Sequence, residues 1–157
     1  MIKLLSAAYA AFNNSLIGMP WCPANGETFC NLVVNSICNA LGYTKFNAGS
    51  QNNPVMANAM VTFLQGSPDW LSIDGNVAQA HANVGALVIA CQLNPEGHGH
   101  VCVVIPGEMQ YSGHFAKNAP LVMNVGRDVF IGKHAGFAFQ TEPSYFVLIS
   151  TLPTEGK

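Results

Sequence analysis

Charge is what this sequence has least of. Only 9% of its 157 residues are Asp, Glu, Lys or Arg, the formal net charge is -2, and no stretch gathers lysines and arginines together. A chain without a basic patch has nothing to set against a phosphate backbone or an anionic lipid surface, so neither nucleic acid nor membrane is expected as a partner. No apolar run approaches the roughly 20 residues that a membrane-spanning helix needs. The five cysteines, at 22, 30, 38, 91 and 102, include no Cys-x-x-Cys pair and no metal-finger spacing, and so do not form a zinc framework of that kind. Their odd number leaves at least one thiol free, while a bridge from Cys22, the cysteine expected nearest to solvent, stays open. Internal repeats and low-complexity tracts are also missing.

What remains is 50% hydrophobic, with fifteen glycines and nine prolines. That composition suits one compact domain over 1–157, with tight turns and a core that needs no disulfide staples. The most informative stretch runs from Glu27 to Gly42. Cys30, Val34, Ile37, Cys38 and Leu41 recur at helical spacing, Thr28 is placed to cap the first turn, and Gly42 to end the helix in the left-handed conformation. Cys30 then lies at a helix N-terminus, where the dipole and unpaired amides favour thiolate, so a lowered pKa is expected. The competing reading is a cysteine that only fills core space.

Before this helix, Ile2, Leu5, Tyr9, Phe12 and Leu16 recur at three and four, as an amphipathic helix of the mature domain requires. That pattern outweighs the weak likeness of the first residues to a signal peptide, so export without a classical signal is expected. After it, Pro54 is expected to open a helix whose buried face is Val55, Met56, Ala59, Met60, Phe63 and Leu64. A short helix follows from Gly75 to Asn83, stopped by Gly85. From Ala86 onward the period becomes that of strands: Leu87 to Cys91, His100 to Ile105, Leu121 to Val125, Gly136 to Gln140 and Tyr145 to Ser150. Helices first and an antiparallel meander afterwards predict an α+β domain, N-terminal helices on a sheet of about five strands.

A cysteine nucleophile needs a base and a group to orient that base. Of five histidines, His100 alone is expected on a regular strand, sharing a face with Cys102 and Val104; His98 lies in the preceding turn. Asn124, the one polar residue of its strand, can accept from the His100 ring N–H and fix the other ring nitrogen toward Cys30. Gln140 is the other candidate for that role. His98 and His100 with Cys30 or Cys102 also admit a zinc reading, though Glu96 is the only nearby acid.

Thr28-Phe29-Cys30-Asn31 opening a helix, then Gly85-Ala86-Leu87-Val88-Ile89-Ala90, then Gly99-His100-Val101-Cys102-Val103-Val104 followed by Pro106-Gly107, together resemble the papain-like cell-wall amidases of the NlpC and CHAP type. The likeness is greatest to the small amidase effectors injected by type VI secretion systems and to related phage amidases, and it spans Glu27 to Ile149. It implies Cys30 as nucleophile, His100 as base and Asn124 as third member; Trp21, Asn31 and His98 are expected to contact substrate. It further implies a cofactor-free, monomeric hydrolase of peptidoglycan stem peptides at the bond between D-glutamate and the diamino acid. Such a protein works in the periplasm or cell wall and is expected to meet an immunity or secretion-apparatus protein. Two departures stand out: Cys102 where a small residue is usual, and the second imidazole of His98. A fold of this kind that grips a stem peptide without cutting it is the non-enzymatic alternative.

Overall fold

The computed structural model describes residues 1–155; the last two residues of the expected domain lie outside it. Helices α1 (Ile2–Asn13) and α2 (Cys30–Ala40) come first, then a small ribbon of β1 (Asn47–Ser50) and β2 (Asn53–Pro54), and α3 (Ala57–Gly66). Next are β3 (Trp70–Ile73), α4 (Gly75–Asn83), β4 (Val88–Gln92) and β5 (His100–Val104). The hairpin β6 (Gln110–Ser112) and β7 (Lys117–Ala119) precedes β8 (Leu121–Val125), β9 (Val129–His134) and β10 (Ser144–Leu148). The α+β class holds, with an antiparallel main sheet of six strands in the order β3-β10-β4-β5-β8-β9.

Both faces of that sheet are covered. Helices α1, α2 and α3 bury Leu4, Val34, Ile37 and Met60 against Ile89, Val101, Val103 and Met123 on one side. On the other, α4 lays Ala78 and Ala82 over Val88, Ala90, Val104 and Tyr145. Val88 to Cys91 of β4 therefore read as an unbroken apolar run, because neither face meets water along them.

Several boundaries differ from the sequence expectation for local reasons. The buried stripe of α1 is Leu4, Ala8 and Ala11, with Leu5 and Phe12 at its margins; Ile2, Tyr9 and Leu16 are exposed. Small alanines let the helix lie close to its neighbours, so the larger side chains flank the contact instead of filling it. Pro54 belongs to β2, and the Val55 N–H bonds the Phe46 carbonyl, which keeps the chain extended until Met56. Helix α3 thus starts at Ala57 and buries Ala57, Met60, Val61 and Leu64, while Met56 and Ala59 are exposed.

The expected strand from Gly136 to Gln140 is instead a 3₁₀ turn over Ala135–Phe137, closed by Ala138 and Phe139 N–H bonds to the Ala135 carbonyl. The strand there is β9. Gly132, at φ +89°, is its bulge: Lys133 faces Val122 and Ile131 faces Met123, so Gly132 is the extra residue that breaks the alternation.

Candidate active site

Helix α2 begins at Cys30, with Phe29 as cap residue and no side-chain cap. Thr28 does not serve the first-turn amides as expected; its hydroxyl turns to the Cys30 sulfur. The helix end is as expected: Gly42, at φ +88°, donates to the Asn39 carbonyl at 3.0 Å and the Tyr43 N–H to the Cys38 carbonyl at 2.9 Å. That closure seats Tyr43, and Ile37 and Cys38 are buried in the core. The opposite end of the helix is thereby anchored, and Cys30 is presented over the interior strand β5.

The Cys30 thiol is buried, and its acidity follows from two opposed effects. Burial away from water raises its pKa. The backbone N–H of Val101, those of Asn31 and Cys30, and the Thr28 hydroxyl all favour the thiolate, and together they fall short. The lowered pKa anticipated from the helix terminus is therefore corrected: desolvation outweighs the first-turn amides, and the resting group is a thiol. The Val101 contact also brings the sulfur to the strand position directly after His100. Strand β5 pairs with β4 as far as His100 but with β8 only at Val103 and Val104, so the sheet opens between β5 and β8 beside this point.

His100 and Asn124 meet across that opening, with Nε2 2.6 Å from Oδ1. The amide is oriented from behind, since Asn124 Nδ2 donates to the Asp128 carbonyl at 2.8 Å. Reversing the amide would set two carbonyl oxygens against each other. Asn124 Oδ1 must therefore accept from His100 Nε2–H, which leaves Nδ1 with the free lone pair. Burial lowers the pKa of His100, and the Asn124 carbonyl acts in the opposite sense by favouring the charged ring. The imidazole is accordingly neutral at pH 7. Phe139 supports the ring at a centroid separation of 5.1 Å.

Two pockets, here called lobes, adjoin beside these groups. One, of about 460 Å³, is lined by Cys30, Asn31, Met56 and Asn58. The other, of about 500 Å³, is lined by His100, Asn124, Arg127 and Phe137. Gly26, Glu27, Thr28, His98 and Gly99 border both. Of the residues expected to contact substrate, His98 is exposed on this shared rim. Asn31 lines the Cys30 lobe but spends its amide on the Val55 carbonyl at 3.2 Å. Trp21 packs against the helical side of the core and lines neither lobe.

Gln140 is exposed and lies outside any strand, so the contact to His100 belongs to Asn124. All five cysteines are free, including half-buried Cys22, and Cys38, Cys91 and Cys102 are core residues. Burial pushes the Cys91 thiol up to about 12, so it is not ionised near neutrality. Among the described residues no three His, Cys, Asp or Glu side chains gather as a metal site would require.

Four contributors had no sequence signal. Asn58, at the start of α3, donates to the Asn94 and Gly97 carbonyls at 2.8 and 2.9 Å and accepts from the Asn94 N–H, fixing the turn that leads into His98 and His100. Phe139, against the His100 ring, and the Asp128 carbonyl, behind the Asn124 amide, are two more. Gly126 is the fourth: a Cβ there would sit 2.9 Å from His100 Cε1 and 3.5 Å from Nε2. Gly126→Ala should push the imidazole aside and lower kcat/KM by about 10²-fold, the scale of an ångström misplacement of a reacting group. Thermal melting should shift little; a variant with unchanged kcat/KM would show that the ring has room to spare.

No family model matches this chain, and no curated protein matches its sequence.

Proposed function

We propose that this chain is a cysteine amidase of papain-like NlpC type that hydrolyses peptidoglycan stem peptides, at the bond between D-glutamate and the diamino acid. The observation that carries the reading is the His100 Nε2 to Asn124 Oδ1 contact at 2.6 Å, in a pocket that shares its Gly26–Thr28 and His98–Gly99 border with the pocket of a helix-start cysteine. The substrate class rests on the sequence resemblance.

In this reading the chemistry starts from a neutral pair. As Cys30 Sγ attacks the amide carbonyl carbon, its proton passes to His100 Nδ1, and the C–S bond forms. First-turn N–H groups of α2 stabilise the oxyanion. The imidazolium then gives its proton to the leaving nitrogen, the C–N bond breaks, and a water activated by His100 cleaves the thioester. Asn124 keeps the ring in the tautomer that makes each transfer productive. No cofactor enters. On the same reading the protein acts as a monomer in the periplasm or cell wall and meets an immunity or secretion-apparatus partner.

Purified sacculi incubated with the protein and analysed by mass spectrometry test this directly. New muropeptide ends at the D-glutamate carboxyl are expected; an unchanged muropeptide profile overturns the reading in favour of a binding module.

Asn124→Ala should lower kcat by about 10- to 100-fold, as loss of an orienting partner does. The pH profile carries the more specific signature. His100 must be unprotonated to accept the thiol proton, so kcat/KM should fall as pH drops through its pKa, which lies below the ordinary value of 6.5. Asn124 favours the protonated ring, so removing it should move this acid limb to still lower pH. A limb that stays in place in Asn124→Ala would show that the amide does not set the protonation of His100, and Gln140→Ala serves as the control.

A further inference from the structure

We infer that Arg127 selects the leaving-group half of the substrate by pairing with a carboxylate beyond the scissile bond. This rests on the amidase reading and names a substrate feature that the reading leaves open. Arg127 is the chain's only arginine, and no other lysine or arginine lines the His100 lobe. Among the described residues the ion pairs are Lys45 with Asp69 and Lys117 with Glu142, so no carboxylate of the fold consumes the guanidinium. In a chain with so few charges, an unpaired arginine in the candidate cleft offers a planar fork that matches a carboxylate.

Its mounting is tied to the catalytic groups. Arg127 lies in the turn between β8 and β9, where the Asp128 carbonyl accepts from the Gly126 N–H at 3.2 Å and from Asn124 Nδ2 at 2.8 Å. That same Asn124 holds His100. The turn is thus braced by the residue that orients the base.

The direction of proton transfer decides which half of the substrate Arg127 meets. His100 protonates the leaving nitrogen, so the leaving amine lies in the His100 lobe and the acyl half in the Cys30 lobe. Arg127 lines the former. Glu27 and Asp128 add negative charge to that lobe, so the ligand that fits carries a carboxylate accompanied by an ammonium. A diamino acid with a free side-chain carboxylate satisfies both signs, whereas lysine leaves Arg127 without a partner.

The test uses two synthetic stem peptides that differ only in the diamino acid after the scissile bond, one bearing the side-chain carboxylate and one lysine. Calorimetry on the Cys30→Ala protein reads binding without cleavage. The carboxylated peptide should bind about 10- to 100-fold more tightly, as a charge-assisted pair implies. Adding Arg127→Ala should abolish that preference while leaving the lysine peptide's Kd unchanged, and Arg127→Lys should restore part of it. Equal Kd values for the two peptides, binding of neither, or an equal loss for both on Arg127→Ala would overturn the inference. Turnover by the protein with Cys30 intact is the separate readout. A preference that depends on Arg127 without cleavage of either peptide keeps the carboxylate site and removes the amidase reading.

Discussion

Cys30→Ala is expected to remove stem-peptide hydrolysis, with a loss of about 10⁶-fold in kcat, the scale seen when a covalent nucleophile is deleted. The fold should survive. Cys30 is small and 5% exposed, so the change leaves a gap of one sulfur atom at the end of a helix and should cost about 1 kcal/mol of stability. Cys22→Ala and Cys102→Ala should both retain turnover, because one thiol is peripheral to the cleft and the other is sealed in the core. Iodoacetamide supplies a second measurement. Since burial raises the thiol's pKa above 9.0, alkylation of Cys30 should be slow at neutral pH and accelerate into the alkaline range. An active Cys30→Ala protein, with activity lost in either control, would move the nucleophile elsewhere; alkylation that is already maximal at pH 7 would mean a resting thiolate.

The other large effect should belong to His100. Its replacement by alanine is expected to lower kcat by about 10² to 10⁴-fold, the range of a general acid-base group, and so by more than the loss of Asn124. His98→Ala should cost only a few-fold, and mainly in KM. The contrast follows from their surroundings: His100 is held between Asn124 and Phe139, whereas His98 is exposed on the rim shared by the two lobes. Comparable losses for the two variants would support a two-histidine site, and metal analysis of the purified protein would then decide whether zinc is held there.

Local signals proved reliable where the interactions that they describe are local. The helix Gly75–Asn83 was legible at its end, because Gly85 follows in the left-handed conformation; the structure adds Asp74, which caps its start by accepting from the Val77 N–H at 2.9 Å. The closure at Gly42 was legible for the same reason. Strands β4, β5 and β8 showed themselves as apolar runs bounded by turns. Edge strands β3 and β9 did not, since an edge strand carries exposed and polar positions, and β9 also has a bulge at Gly132. The faces of α1 and α3 were misplaced because periodicity locates a stripe only within a residue or so, and alanines compete with larger apolar side chains for the close contact.

For the candidate site, the sequence by itself determined which residue types are present and in what order: a cysteine at a helix start, a histidine at a strand start, and an asparagine one strand later. That Asn124 and not Gln140 meets His100 was decided by the turn at Ala135–Phe137, which removes Gln140 from the sheet. The tautomer of His100 depends on the Asp128 carbonyl, brought back to Asn124 by a turn. The acidity of Cys30 shows the division most clearly. The helix terminus favours thiolate and can be read from a few neighbouring residues, but desolvation sums over every group packed around the sulfur, near or far in the chain. Only the tertiary structure holds that sum, and here it outweighs the local field.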